Sequence, residues 1–466
     1  MKSTTKYPVP AGGIKATLAG GNTVGAAVRE REPRADGYRH LDTPALLRRL
    51  LEMSANTYLF GIWDSPTDFD DLREEFLPAA EACGIAVIPY IVPPSETAEP
   101  GRASRPFRLD FVGWARAFAE LSLQHPNLAG WAIDDFEFPV NAELFTADYM
   151  AEIKAAADSV HPGLPFYTCA YFGTAISDRF LDKYGSYIDG IIYPFLDAEN
   201  ENTTVAESLA SSLDRVLDKT EPRGLDLIPL IYTGRFLDAP LPPTEEYVTK
   251  TLTVADAYHQ QGRTLGVIAY GTQLDDAASP ATDNRAMYGA GRLALVAPRV
   301  EVPDGAIASA SQRVRVDPRA RRYEVSFWYH RAFLSGGVEQ DTYALEVLID
   351  ETVVWSKDVE EQRWNLWVQG GALEGPVDVT DPVRGRDHIT LTFRLRALRA
   401  ATASFVDVGV DNIETMGLWV RDPGFEEPDS WSLSSDHGPL LSAMDLYTVD
   451  RPARIRAAVG RCFGAK

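Results

Sequence analysis

The stretch TYLFGIWDSPTDFDDLREEFLPAAEACGIAVIPYIV, residues 57–92, indicates the fold of the chain. Its two ends, 57–63 and 85–92, are apolar runs of strand length, and the segment between them has the periodicity of an amphipathic helix. Because both runs are almost continuously apolar, they are typical of parallel strands that are covered on both faces. The stretch therefore predicts one strand–helix–strand unit of a parallel sheet.

The same unit recurs from about residue 20 to residue 296. The predicted strands lie at 22–28, 57–63, 85–92, 128–134, 165–172, 188–195, 225–233 and 264–271. Eight strand–helix units in about 250 residues are what a (β/α)8 TIM barrel requires. An open, doubly wound sheet is the alternative, but no GxGxxG motif follows the first predicted strand to favour it.

The pattern changes near residue 298. Segments at 322–333, 342–359, 388–398 and 404–420 are short, alternate between apolar and polar residues and are separated by turn residues. This pattern predicts an antiparallel β-sandwich. FVDVGVDNIE, residues 405–414, resembles the last strand of jelly-roll domains found beside carbohydrate-active enzymes. We therefore assign residues 1–298 to the barrel and residues 299–466 to a jelly-roll-like sandwich.

The composition limits the partners of the chain. A formal net charge of −22 over 466 residues disfavours binding to nucleic acid and to anionic lipid. The start of the sequence lacks the apolar run of a signal peptide. No apolar stretch is long enough to cross a membrane. We expect a cytoplasmic protein, or a secreted one if a leader has been removed. Nothing in the sequence indicates the oligomeric state.

The carboxyl ends of barrel strands are where the active site of this fold lies. In this sequence those ends carry carboxylates and aromatic residues, although aromatic residues there also serve as core packing. The predicted substrate-binding residues are Trp63, Asp64, Asp134, Tyr171, Tyr193, Asp197, Arg235, Tyr270 and Gln273.

Several other kinds of chemistry lack their usual sequence signals. No histidine has a partner at metal-ligand spacing, and the three cysteines lie far apart. Neither a GxSxG motif nor a phosphate-binding loop is present. We predict no metal and no cofactor. Once these kinds of chemistry are set aside, the remaining candidates are carboxylates among aromatic residues at the strand ends. Paired carboxylates are the groups that hydrolyse glycosidic bonds.

The fourth predicted strand leads into the acidic stretch NLAGWAIDDFEFPV, residues 127–140. Strand alternation would place Ile133, Asp135 and Glu137 on one face and Asp134 on the other. Asp135 and Glu137 would then point together, and a neighbouring negative charge raises the pKa of a carboxyl group into the range of a general acid. We predict Glu137 as the general acid/base and Asp135 as its partner. Asp134 is expected to face the helices or a neighbouring loop, where it would make a structural hydrogen bond.

GWAIDDFEFP resembles the signature strand of family 18 glycosidases, which reads approximately DGIDIDWEYP. The resemblance implies that Glu137 protonates the leaving oxygen and that Asp135 orients an N-acetyl group of the substrate, which acts as the nucleophile. DGIIYPF, residues 189–195, is similar to the sixth strand of that family, with Tyr193 at the position that steadies the acetamido group.

The sequence departs from the family pattern at three positions. Ile133 and Pro194 stand where the family has aspartates, and Tyr270 stands where it has a tryptophan. If no N-acetyl group assists the reaction, a second carboxylate must come from another strand. Asp64, Asp197 and Asp275 are the candidates by position.

The leading hypothesis is a glycosidase, a glycoside hydrolase or a transglycosylase of the same chemistry, that acts on an oligo- or polysaccharide. One alternative is a barrel that binds carbohydrate without cleaving it. Another is a carboxylate-based lyase, or a divalent-metal enzyme that uses the carboxylates of residues 134–137 as oxygen ligands. Activity that survives a chelator and is lost on Glu137→Gln would favour the hydrolase.

Overall fold

The computed structural model describes residues 10, 12–18, 28–97, 104–136, 139–196, 205–235, 241–274, 285–298, 300–334, 338–359, 372–401 and 405–464. Its first part is a closed barrel of eight parallel strands, as predicted. The strands are β1 Ile14–Leu18, β2 Thr57–Gly61, β3 Ala86–Ile91, β4 Trp131–Ile133, β5 Phe166–Cys169, β6 Gly190–Phe195, β7 Asp226–Tyr232 and β8 Gly266–Tyr270.

Helices surround the barrel. They are α1 Thr43–Glu52, α2 Asp68–Asp70, α3 Leu77–Ala82, α4 Phe111–Gln124, α5 Pro139–Leu144, α6 Ala147–Asp158, α7 Phe172–Ala175, α8 Asp178–Tyr184, α9 Leu209–Thr220 and α10 Glu245–Gln260. A π-helical turn at Asp71–Phe76 joins α2 to α3, and short 3₁₀ turns occur at Pro94–Glu96 and Glu221–Arg223. None of the described helices has both the length and the apolar composition needed to cross a bilayer.

Successive strand residues point alternately into the barrel and toward the helices, so both faces of each strand are buried. On β6, for example, Ile192 belongs to the cluster inside the barrel, whereas Tyr193 belongs to the cluster between strands and helices. This double burial explains why the strands are nearly continuous apolar runs in the sequence.

The prediction for the first strand was wrong. The strand that closes the barrel is Ile14–Leu18, which pairs with β2 on one side and with β8 on the other. Residues 22–27 lie outside the described ranges, and Val28 is buried but is not part of a strand. β1 is only five residues long and contains Lys15, so its apolar signal is weak.

The second part of the chain is an antiparallel β-sandwich, as predicted. One sheet has the order β13-β12-β15-β10-β17, with β18 also paired to β10, and the other has the order β14-β11-β16-β9-β19. The strands are β9 Gly291–Ala297, β10 Ile307–Val316, β11 Glu324–Leu334, β12 Tyr343–Ile349, β13 Thr352–Asp358, β14 Ala372–Asp378, β15 His388–Ala397, β16 Phe405–Met416, β17 Leu418–Trp419, β18 Ser432–Asp436 and β19 Leu441–Leu446, with the short helix α11 at Thr380–Val383.

The final helix, α12 (Arg451–Gly464), returns to the barrel. Its apolar face is buried in the cluster between strands and helices, through Ile455, Ala458, Val459 and Phe463. It packs along α10, and a Cβ added at Gly460 would lie 3.5 Å from the carbonyl oxygen of Glu52 at the end of α1. α12 therefore occupies the position of the eighth barrel helix, between the seventh helix and the first.

The chain consequently does not divide at one point. β9 begins before residue 298 yet lies in the sandwich, and α12 follows the sandwich yet lies in the barrel wall. The sandwich is thus inserted between the eighth strand and the eighth helix of the barrel.

A buried network of ion pairs, one of which spans the junction, joins the sandwich to the barrel. Arg235, which follows β7, donates a 2.8 Å hydrogen bond to Oδ1 of Asp445 on β19. Arg292 on β9 donates to Asp445 Oδ2 at 3.0 Å and also to both carboxylate oxygens of Asp407 on β16. Beside these pairs, Leu241 packs against Ala294 and Val296 of the sandwich. The two parts are therefore attached through both charged and apolar contacts.

Candidate functional site

A compact group of side chains lies at the carboxyl ends of the barrel strands. Five strands or the loops after them supply one aromatic residue each, and carboxylates and a thiol lie among the rings. We call this group the mouth cluster; it consists of Trp63, Tyr90, Asp134, Asp135, Cys169, Tyr171, Tyr232 and Tyr270. Its position is the one at which barrel enzymes bind their substrates.

The end of β4 corrects the predicted orientation of the acidic stretch. Ala132 lies inside the barrel, whereas Ile133 packs on the helix side. Asp134 points into the barrel mouth, where its Oδ1 accepts a 2.7 Å hydrogen bond from the hydroxyl of Tyr90. The prediction that Ile133 faces inward and Asp134 faces the helices was therefore wrong.

Asp135 does not continue the strand. Its φ of +31° lies in the left-handed region, which aspartate tolerates better than most residues. Its N–H donates to Asp134 Oδ1 at 3.0 Å, and its carbonyl oxygen accepts from Asn141 Nδ2 at 2.8 Å. The next residue, Phe136, packs on the helix side against Phe145, with ring centroids 4.5 Å apart. The carboxylates therefore lie on a sharp turn that is fixed on both sides.

Cys169, on the neighbouring strand β5, completes the acidic part of the cluster. Its Sγ and carboxylate oxygens of Asp134 and Asp135 all lie within 4.8 Å of one another. Burial raises the pKa of the Cys169 thiol, and the two nearby carboxylates raise it further. Burial and Asp134 also raise the pKa of Tyr90. Both groups are therefore protonated, and able to donate hydrogen bonds, at neutral pH.

Three tyrosines form an aromatic wall in the mouth. The rings of Tyr232 and Tyr270 meet edge to face with centroids 5.2 Å apart, and the hydroxyl oxygens of Tyr171 and Tyr232 are 3.5 Å apart. Tyr171 and Tyr270 are partly exposed. Burial raises the pKa of Tyr171 and Tyr232 well above the usual phenol value. The wall therefore offers neutral hydroxyl groups and aromatic faces.

The loop after β2 places Trp63 at the mouth. The Trp63 side chain is buried and meets Tyr90 edge to face at 5.6 Å. Oδ2 of Asp68 accepts the backbone N–H groups of Trp63, Asp64 and Ser65 at 2.9–3.1 Å, and its Oδ1 pairs with Arg29 at 2.6 Å. Asp64 itself is exposed to solvent.

The structure does not bring every predicted residue into the mouth cluster. Tyr193 is fully buried on the helix side, with its ring 6.3 Å from that of Phe172, so it does not face the bowl as the family resemblance implies. Arg235 is engaged with Asp445 of the sandwich. Gln273 is nearly buried, and its carbonyl oxygen accepts from Arg456 of α12. Glu137, Asp197 and Asp275 lie outside the described residues.

Four residues of the site were missed in the sequence: Tyr90, Asn141, Cys169 and Tyr232. Two of them had a signal, because Tyr90 and Tyr232 stand at the carboxyl ends of predicted strands, as Tyr171 and Tyr270 do. No sequence signal pointed to Asn141, because it forms its hydrogen bonds with Asp135 and with Ser95, which lies in a different loop.

Two groups among the described residues have the geometry to hold a metal ion. Asp134, Asp135 and Cys169 could supply two carboxylate oxygens and a sulfur at the mouth. The second group is His40, Asp71 and Glu75, but both nitrogens of His40 are hydrogen bonded to carboxylates and Glu75 pairs with Arg34. We interpret the second group as structural.

No family model matches the chain, so the resemblance to family 18 glycosidases is not confirmed. No curated protein matches it either. Among solved structures, the exo-beta-1,4-mannosidase Op5Man5 from Opitutaceae bacterium strain TAV5 is 13% identical with a TM-score of 0.40, over 58% of this chain and 54% of the mannosidase. Xylanase XynB from Paenibacillus barcinonensis is 13% identical with a TM-score of 0.34, over 58% of this chain and 88% of the xylanase.

A tryptophan synthase A-subunit from Pyrococcus furiosus is similar to the same degree. It is 12% identical with a TM-score of 0.32, over 56% of this chain and 89% of the subunit. Similarity at this level does not identify the chemistry of the chain.

Proposed function

We propose that the chain is a glycoside hydrolase, or a transglycosylase of the same chemistry, and that it cleaves an oligo- or polysaccharide at the mouth cluster. One observation carries the proposal: the Asp134 carboxylate is held inside the barrel mouth, beside Asp135 and among the tyrosines. Glycosidic bonds are cut by paired carboxyl groups, and aromatic faces and phenol hydroxyls suit a sugar ring.

The roles proposed for the carboxylates combine the sequence pattern of residues 133–139 with the described positions of Asp134 and Asp135. Glu137, two residues after Asp135 in the sequence, is the general acid/base that protonates the leaving oxygen. Asp135 is its partner. Asp134 provides a further negative charge in the mouth, suited to stabilising the positive charge that develops on the sugar ring.

The tyrosine wall is proposed to bind the substrate rather than to react with it. Neutral phenols donate hydrogen bonds to sugar hydroxyls, and the ring faces of the partly exposed Tyr171 and Tyr270 stack on the apolar face of a pyranose. Trp63, packed against Tyr90, continues this aromatic lining.

The test is hydrolysis of a panel of aryl glycosides and oligosaccharides by the purified chain. We expect Glu137→Gln to lower kcat by about a hundredfold or more, and Asp135→Asn to lower it strongly as well. Asp70→Asn, at an exposed acid of α2, is the matched control and should leave kcat unchanged. If sugars bind tightly, are not cleaved, and bind equally well to Glu137→Gln, the chain is a carbohydrate-binding protein and the proposal is wrong.

A divalent-metal enzyme, such as a lyase, is the second candidate function, and the grouping of Asp134, Asp135 and Cys169 favours it. A bound cation would stabilise the thiolate of Cys169 and so lower the pKa of this thiol, which burial and the two carboxylates otherwise raise. In that case a chelator would abolish activity, Mn²⁺ or Zn²⁺ would restore it, and Cys169→Ala would prevent the restoration. Activity that withstands the chelator favours the glycosidase.

A further inference from the structure

We propose that Tyr90 is a positioning residue for the carboxylates at the end of β4, an inference that rests on the proposed function. The sequence places Tyr90 within an apolar strand, IAVIPYIV, where packing would account for it. Its hydroxyl group, however, contacts the acidic turn directly.

The register of the barrel fixes where this hydroxyl lies. Tyr90 is paired with Ala132 in the parallel β3–β4 ladder, and the N–H of Asp134 donates to the carbonyl oxygen of Ile91 at 2.9 Å. The Tyr90 side chain therefore points into the barrel one step before the turn. From there its hydroxyl donates a 2.7 Å hydrogen bond to Asp134 Oδ1.

Two donors converge on that one oxygen. Asp134 Oδ1 accepts from the Tyr90 hydroxyl at 2.7 Å and from the backbone N–H of Asp135 at 3.0 Å. The first bond fixes the carboxylate against the barrel wall, and the second connects the carboxylate to a backbone in the left-handed conformation. Tyr90 thus acts on Asp135 through Asp134. Without its hydroxyl the first bond is lost, and the carboxylate that accepts the second bond is held less firmly.

Tyr90 is itself held in place. It is 1% exposed, and its ring meets the edge of Trp63, whose own backbone is anchored by Asp68. A buried ring with this packing has no second rotamer to adopt without opening a gap. Its hydroxyl is therefore a rigid donor, which is what precise placement of a reacting group requires.

The test is Tyr90→Phe, which keeps the ring and removes only the hydroxyl. We expect kcat on the best substrate to fall about tenfold to a hundredfold, with KM changed by less than about twofold, because the carboxylates are misplaced while the binding wall is intact. Tyr58→Phe is the matched control, since Tyr58 is a buried strand tyrosine on the helix side, and it should leave kcat unchanged.

A double-mutant cycle shows whether Tyr90 acts through Asp134. If it does, Tyr90→Phe combined with Asp134→Asn should be no slower than Asp134→Asn alone. Additive losses, or a change in KM alone, would overturn the assignment of a positioning role.

A second measurement does not depend on any activity. Hydrogen exchange at the Asp135 amide should be about tenfold faster or more in Tyr90→Phe than in the unaltered chain, and unchanged in Tyr58→Phe. If the unaltered chain hydrolyses no glycoside but this difference is found, the proposed function fails and the positioning contact stands. If the exchange rates are equal, the positioning inference fails whatever the activity.

Discussion

Arg235 and Asp445 lie 210 positions apart in the sequence and form a 2.8 Å ion pair that is almost completely shielded from water. Arg235 follows barrel strand β7 in the sequence, and Asp445 lies on sandwich strand β19. This ion pair therefore marks the junction of the two parts. A residue that the sequence suggested as a substrate ligand instead attaches the sandwich beside the mouth.

Breaking this junction should destabilise the whole chain. Arg235→Met leaves Asp445 buried with one cation fewer, and removal of one partner from a buried pair costs about 3–5 kcal/mol of the free energy of unfolding. Urea unfolding measures the loss. Arg49→Met, which removes an exposed pair with Glu52, is the control and should change the midpoint little. Equal midpoints for the two variants would contradict a stabilising role for the junction.

His330 should make stability depend on pH. Burial, together with the charge of Arg292, lowers the pKa of His330 to about 4. As the pH falls from about 6.5 to about 4, the unfolded chain takes up a proton at this histidine and the folded chain does not, so the free energy of unfolding falls by at most about 3 kcal/mol. In His330→Gln this part of the pH dependence should disappear.

The measurement is urea unfolding at several pH values between 4 and 7. His437→Gln, at an exposed histidine, should keep the pH dependence of the unaltered chain. If His330→Gln keeps it as well, the histidine is not the source.

The backbone of Asp135 predicts which substitutions the turn accepts. Asparagine adopts the left-handed conformation readily, so Asp135→Asn should keep the melting temperature while it lowers activity. Valine is branched at Cβ, and Asp135→Val should cost about 1–2 kcal/mol of the free energy of unfolding. Thermal unfolding of the two variants side by side is the measurement, and a similar loss in both would argue against the left-handed turn.

The last helix should be essential to the barrel. Phe463 is 3% exposed in the barrel wall, and Phe463→Ala should cost about 3–5 kcal/mol of the free energy of unfolding. Arg461→Ala, at an exposed position of the same helix, should change it by less than about 0.5 kcal/mol. Denaturant unfolding compares them, and a stable chain after deletion of residues 451–464 would show that the barrel does not need its eighth helix.

Much of the fold could be predicted from the sequence, because burial on both strand faces produces the apolar runs that are easiest to recognise. Seven of the eight predicted barrel strands overlap those of the structure, from β2 to β8. The exception, β1, is short and contains Lys15, whose amino group bonds to the carbonyl oxygen of Phe463. Because the hydrogen-bond partner of Lys15 lies near the far end of the chain, no neighbouring residue indicates that this lysine belongs to a barrel strand.

The candidate site was less predictable, for a physical reason. Strand alternation predicts which way a side chain points only for residues within the strand. β4 ends at Ile133, before the acidic residues. The positive φ of Asp135 then turns the backbone, so the period of two no longer applies. The contacts that orient Asp134 and Asp135 come from Tyr90 and Asn141 in other elements, and no local pattern encodes them.

The order of the elements has a consequence for how the protein is made. A ribosome releases β8 long before α12, because the whole sandwich is synthesised between them. Until residues 451–464 emerge, the wall between α10 and α1 stays uncovered, and the apolar surface that α12 buries is open to water or to a chaperone. The barrel wall is therefore completed last, after the whole sandwich has been synthesised.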